Sequence, residues 1–338
     1  MIELRGLALC ENQSIQHWEE HVLDPSGMLR QGLLQLSKSN RVRDVVEKAP
    51  VSRDVVRRFV AGDSAVDAVR VAGELALTGR LCTIDNLGED TFDLSQAQTT
   101  RDAYLTLLSA LGEAGLAQGG KAEVSIKLSA LGQALPGDGA KIALDHAREI
   151  CHAAANVGSN VTVDMEDHTT TDGTLEALRE LRQDFPSVGA VLQAYLYRTE
   201  ADCRDLGHEG SRVRLCKGTY KEPESVAFQG KTEVDKSYVR CLKVLMEGHG
   251  YPMVASHDPR LVEIAGALAH KQDRAPKTFE YQMLYGIRPE EQKRIADRGD
   301  QMRVYLPYGQ QWYGYLVRRM AERPANTMVF LRGLATKG

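Results

Sequence analysis

The chain has 338 residues, with 42 Lys and Arg against 46 Asp and Glu and a formal net charge of −4. That near balance argues against nucleic acid as a partner. Hydrophobic residues at 43% and charged residues at 26% are the proportions of an ordinary globular protein with a substantial core. The six cysteines (Cys10, Cys82, Cys151, Cys203, Cys216 and Cys241) are scattered without a CxxC. They read as reduced cytosolic thiols, not as a disulfide frame or a zinc site. No apolar run reaches the ~20 residues of a membrane span. The opening MIELRGLALCENQ lacks the basic and long apolar regions of a secretory signal, so a cytoplasmic protein is expected.

Residues 1–27 hold Trp18, a polar QHWEEH stretch and the turn signal DPSG. They are expected to form an arm, or an extension upstream of an alternative start. Residues 28–79 read as short helices, with Ser52 and Asp63 or Ser64 as N-caps. From residue 80 to about 334 the pattern turns regular. Eight β-rich runs, RLCTID (80–85), AEVSIKLS (122–129), NVTVDME (160–166), GAVLQAY (189–195), RVRLCK (212–217), PMVASH (252–257), TFEYQML (278–284) and MRVYLPY (302–308), alternate with amphipathic segments. Two of those segments, TEADCRDL and PEEQKRIA, are short. Strand–helix alternation implies parallel pairing, and eight such units close into an α/β (β/α)8 barrel. An open doubly wound sheet is the alternative. It is weakened because no GxGxxG turn follows the first strand.

In such a barrel the active site lies at the C-terminal ends of the strands. The residues at or just past those ends are Asp85 and Glu89, Lys127, Asp164 and Glu166, Gln193 and Tyr195, Arg214 and Lys217, His257, Glu280 and Gln282, and Tyr305. A full ring of polar groups is hard to ascribe to hydration alone. Lys127, in SIKLSA, admits three readings: a buried stem with its head in solvent, a Schiff-base lysine, or a cation for a substrate carboxylate. Arg214 and Lys217, in RLCKGTY, bracket a strand end that enters a glycine turn and suit a phosphate or an electron-rich ring edge. Asp164 and Glu166 with Asp167 and His168 lack HxH or HExxH spacing, so carboxylates balancing nearby cations are preferred to a metal site. His257 is either a ligand contact or a residue at a helix N-terminus.

The last helix contains YLVRRMAE (315–322). Tyr313, Leu316, Val317 and Met320 form an apolar stripe at helical spacing, and Tyr315, Arg318, Arg319 and Glu322 form a second. The first stripe can dock on the barrel and the second can face its mouth. Arg318, Arg319 and Lys127 together would trap a small carboxylate. Tyr220, Tyr305 and Tyr315 would wall its apolar body.

These residues resemble the proline dehydrogenase family. YLVRRMAE matches its YxxRRxxE signature. SIKLSAL, VDMED, LQAY, RLCKGTY, ASHD, FEYQMLYG and VYLPYG are similar to its blocks, in its order, over about residues 40–334. The resemblance implies a distorted barrel with the last helix over its mouth, noncovalent FAD, and oxidation of L-proline to Δ1-pyrroline-5-carboxylate. It implies Lys127, Arg318 and Arg319 as carboxylate-binding cations, Asp164 as the acid organising them, and Tyr220, Tyr305 and Tyr315 as the aromatic wall. Leu215 lies in the Tyr220 block. Arg214 resembles the arginine near flavin N5, and Gln193 the amide near the flavin ring. Lys217, Gly218, His257 and Glu280 fall in cofactor-binding blocks. Glu89 resembles the acid that gates the mouth with Arg318. The turn YGQQWYGY is shorter than in bifunctional members, and the length of a fused aldehyde dehydrogenase is missing. The resemblance therefore implies a monofunctional enzyme with a separate pyrroline-5-carboxylate dehydrogenase and a quinone acceptor at a membrane surface, the inner membrane being the expected place. A Schiff-base lyase or aldolase on Lys127 is the competing enzyme class, and a non-catalytic binding protein the competing non-enzyme.

Overall fold

The computed structural model describes residues 56–88 and 91–322, the last five as backbone alone. Its centre is a closed barrel of eight parallel strands in sequential order. They are β1 (Leu81–Asn86), β2 (Ala122–Ile126), β3 (Val161–Val163), β4 (Gly189–Gln193), β5 (Arg212–Cys216), β6 (Tyr251–Ala255), β7 (Glu280–Leu284) and β8 (Met302–Tyr308). The barrel is sealed where β8 pairs in parallel with β1, Tyr305 standing opposite Thr83. A helix α1 (Ala65–Ala76) precedes the barrel. Each strand is followed by one helix: α2 (Leu94–Glu113), α3 (Gly139–Val157), α4 (Thr171–Asp184), α5 (Thr199–Leu206), α6 (Lys231–Glu247), α7 (Pro259–Lys271), α8 (Pro289–Asp297) and α9 (Trp312–Glu322). The two short helical segments of the sequence are thus both real. Ser64 caps α1 in a reciprocal capping box with Asp67. Ser52 and the boundary at residue 27 lie outside the described residues.

Successive strand side chains point to opposite faces, and here the two faces differ in chemistry. Cys82 and Ile84, Val124 and Ile126, Val161 and Val163, Val213 and Leu215, Tyr281 and Met283, and Val304 and Leu306 belong to one continuous apolar core. That core lies between the barrel and its helices. The alternate residues Thr83, Glu123, Ser125, Thr162, Arg214, Glu280, Gln282 and Arg303 are buried too, and they fill the barrel interior with polar groups.

Toward the N-terminal ends of the strands this interior is an ion cluster. Glu123 accepts from Arg212 at 2.6 Å and lies 3.7 Å from Arg303. Arg303 donates to Glu280 at 2.7 Å and to the carbonyls of Cys82 and Gly120. Burial pushes the Glu123 carboxyl up, but Arg212, Arg303 and Arg214 outweigh it and hold the pKa down at about 2.

α9 docks through its apolar stripe, though not on the barrel core. Tyr313, Leu316 and Val317 join Val56, Phe59, Val60, Leu87 and Ile287 in a separate cluster, and Tyr315 of the second stripe packs in it too. Leu87 follows β1 and Ile287 follows β7, so this second core sits at the C-terminal mouth.

The depressed pKa of Glu123 has a definite sign. Its folded value lies below that of an unfolded glutamate, so its stabilisation is complete above about pH 5 and is lost as pH falls toward 2. Glu123→Gln is expected to lower unfolding free energy by about 3 kcal/mol at neutral pH. The deficit should shrink as pH drops through 4, read by urea unfolding at several pH values. A deficit that does not change with pH would refute the assignment.

Candidate active site

At the C-terminal ends of the strands the inward positions open into a cavity of about 990 Å³. Its floor is built by strand phase. Asp85 on β1, Lys127 just past β2, Asp164 just past β3, Gln193 on β4, Arg214 on β5, Gln282 on β7 and Tyr305 on β8 all line it.

Asp164 is the hub. One oxygen accepts from Ser125 Oγ at 2.7 Å and from Arg214 Nη1 at 2.7 Å. The other accepts from the Tyr305 hydroxyl at 2.7 Å and lies 3.6 Å from Lys127 Nζ. Lys127 donates to Asp85 at 2.7 Å. Arg214 donates through Nε to Gln282 Oε1 at 2.6 Å, and its guanidinium stacks over the Tyr305 ring at 5.2 Å.

These contacts set the charge states. Burial pushes the Asp164 carboxyl up, but Arg214 and Lys127 pull it net below the ordinary carboxylate range. Burial works against the Lys127 ammonium, yet Asp85 and Asp164 prevail and raise its pKa. A Schiff-base lysine needs the opposite shift, so Lys127 is a poor imine former. Burial and the neighbouring Asp164 and Asp85 raise the Tyr305 phenol well above its usual value, keeping it a hydrogen-bond donor. Arg214 Nη2 is buried without a protein partner, and its residue lines the cavity.

The remaining expected residues divide. Lys217 lines the cavity and pairs with Asp235 at 2.5 Å and Asp258 at 3.5 Å. Gly218 sits at φ +105°, and an added Cβ would come within 2.4 Å of the Tyr195 ring, so only glycine fits this turn. His257 lines the cavity, and its Nε2 accepts from the Leu284 N–H at 2.9 Å. The N-cap of α7 is its neighbour Asp258. Tyr220 and Tyr315 also line the cavity. Glu280 does not. It opens β7 rather than ending it, is fully buried, and is held by Arg303 and Gln282. Tyr195 packs with Leu196 and Ala227 and donates to Glu222. Leu215 faces the helices. His168 bonds to Glu222 through its backbone N–H and its ring, and no metal-binding cluster occurs among the described residues. Glu89 and the side chains of Arg318 and Arg319 lie outside the described residues.

Ser125 was not anticipated, being uncharged and unremarkable in AEVSIK. Its inward phase was the available signal. Asp85 and Gln282 appeared only among the polar strand ends and had no assigned role.

A closed parallel barrel with a charged, hydrogen-bonded cavity at the C-terminal ends of its strands defines a (β/α)8 enzyme. The comparisons with known proteins say which. The proline dehydrogenase family model matches residues 68–331. Proline dehydrogenase 1 of Bacillus subtilis (strain 168) is 38% identical over 310 residues, covering 92% of this chain and the whole of that relative. Proline dehydrogenase of Deinococcus radiodurans is 38% identical over 283 residues, 83% of this chain and 90% of its own length. The crystal structure of proline utilization A from Bdellovibrio bacteriovorus superposes with a TM-score of 0.75 at 26% identity. It covers 88% of this chain and 36% of that one, so this chain spans about a third of that longer protein. The chain belongs to the proline dehydrogenase family.

The hub makes a graded prediction. Asp164→Ala strips a buried guanidinium of its carboxylate and is expected to cost about 3–5 kcal/mol of stability. Tyr305→Phe removes one donor from a still-paired carboxylate and should cost about 1 kcal/mol. Urea unfolding of the two variants checks the order, and equal losses would contradict it.

Proposed function

We propose that this chain oxidises L-proline to Δ1-pyrroline-5-carboxylate with FAD held noncovalently in the barrel cavity. The observation that carries this reading is the Asp85–Lys127–Asp164–Arg214–Tyr305 network at the cavity floor, within a chain of this family.

The residues present suit a flavin. The buried, unpartnered Arg214 Nη2 offers a donor to an electron-rich ring edge. Gly218, whose turn packs tightly against the Tyr195 ring, lines the same cavity with Lys217, His257 and Gln193. Bound FAD supplies the acceptor for the hydride that leaves the carbon next to the substrate amine. The protein's own part is positioning.

Arg318 and Arg319, on the α9 face shared with Tyr315, hold the substrate carboxylate, and Lys127 adds a cation from below. Tyr220, Tyr305 and Tyr315 wall the ring. Cations around the ring nitrogen make a second positive charge costly, so the neutral, reactive amine is favoured over the ammonium. Glu89 pairs with Arg318 to gate the mouth. The family resemblance supports a quinone as final acceptor at a membrane surface and a separate dehydrogenase for the product. No helix among the described residues is long and apolar enough to cross a membrane, which suits peripheral contact.

The test is a visible spectrum of the purified protein, followed by anaerobic L-proline. A flavin spectrum bleached by proline supports the reading. A flavin spectrum that does not bleach overturns the substrate, and no flavin after reconstitution overturns the cofactor. Arg319→Met is expected to retain FAD while KM for L-proline rises about 30- to 1,000-fold, the cost of removing one partner from a buried charge pair. Near-normal proline kinetics in that variant would sink the clamp.

A further inference from the structure

We infer that Glu280 and Gln282 are positioning residues, forming a relay inside the barrel that fixes the orientation of the Arg214 guanidinium at the cavity floor. The inference rests on the oxidation reading above and names residues that act on that site from beneath.

Three hydrogen bonds in series carry it. Arg303 donates to Glu280 Oε1 at 2.7 Å. Gln282 Nε2 donates to the same Glu280 oxygen at 2.6 Å. Arg214 Nε donates to Gln282 Oε1 at 2.6 Å. A carboxylate only accepts and a guanidinium only donates. One orientation of the Gln282 amide therefore satisfies both neighbours, with NH₂ toward Glu280 and oxygen toward Arg214. A flipped amide would set donor against donor at Arg214 and oxygen against oxygen at Glu280. The acceptor-only character of the Glu280 carboxylate is in this way passed to Arg214 without contact between them.

Arg214 is then held from all sides. Gln282 takes Nε, while Ser125 and Asp164 take Nη1. The Tyr305 ring lies 5.2 Å away. Nη2 is the nitrogen left over. Gln282 is 3% exposed and Glu280 fully buried. Tyr251 donates to the second Glu280 oxygen at 3.0 Å, which fixes the carboxylate itself.

The test is a cycle of Gln282→Met and Arg214→Met in the full chain loaded with FAD, read by anaerobic flavin bleaching with L-proline. Gln282→Met is expected to slow bleaching about 10- to 100-fold, the effect of losing a hydrogen bond to a charged group. KM for L-proline should stay within about twofold, since the substrate clamp is untouched. With Arg214 already Met, the same substitution should change the rate by less than about twofold. A wild-type rate in Gln282→Met, or an equal loss in both backgrounds, overturns the relay. A crystal structure of Gln282→Met gives a readout independent of the reaction. Arg214 displaced from its Asp164 bond supports the inference, and an unmoved guanidinium overturns it. Failure of the wild-type protein to bleach would instead sink the oxidation reading, and the crystal readout would still decide the relay.

Discussion

The Asp164 carboxylate is shared among donors from three other strands or their ends. Ser125 comes from β2, Arg214 from β5 and Tyr305 from β8, with Lys127 beyond β2 at longer range. A buried carboxylate left unpaired is among the costliest groups a protein can carry. Each of these strands is therefore committed to one register. A slip of one residue would turn an inward polar side chain into the apolar shell and strand its partner. The barrel's closure and the site's geometry are the same constraint seen from two sides.

The charge balance of the floor bears on how the proposed substrate carboxylate would be held. Asp85, Lys127, Asp164 and Arg214 carry two negative and two positive charges, and they already answer one another. Such a floor offers direction but little net attraction. Lys127 lines the cavity, and Arg214 keeps one buried nitrogen without a protein partner. The remaining positive charge has to come from another element. In the proposed clamp it comes from α9, whose apolar stripe is anchored at the mouth by Leu87, Ile287 and the 56–60 segment. The position of that small core, apart from the main one, is what seats the start of α9 at the mouth.

Most of the architecture was legible in the sequence because alternation of strand and helix is a long-range regularity, insensitive to errors of one or two residues at each boundary. The site was legible in part. Reading strand ends found Asp85, Lys127, Asp164, Gln193, Arg214, Lys217, His257 and Gln282 in the cavity lining. It misplaced Glu280 and Tyr195 because an end is located only to within a few residues, whereas strand phase is exact to one. Phase was in the letters: Thr83 and Asp85, Glu123, Ser125 and Lys127, Thr162 and Asp164, Arg212 and Arg214, Glu280 and Gln282, Arg303 and Tyr305. In a strand buried on both faces such alternation usually vanishes into a continuous apolar run. Its persistence here marks a barrel whose interior is not an ordinary core.

That departure has an energetic meaning. Barrels of this class commonly fill the interior with Val, Ile and Leu in layers, and a buried ion pair is seldom more stabilising than the apolar residues that could replace it. The ion cluster of Glu123, Arg212, Arg303 and Glu280 is therefore hard to justify by stability. Stability has a sufficient source elsewhere, in the apolar shell that runs continuously between strands and helices. What the charged interior provides is orientation. Every hydrogen bond from Arg303 up through Glu280 and Gln282 to Arg214 has one allowed sense, because the groups at its ends can only accept or only donate. An apolar filling would transmit shape but no such polarity. The polar column is what lets the floor of the barrel hold a fixed direction at its top, where the cavity begins.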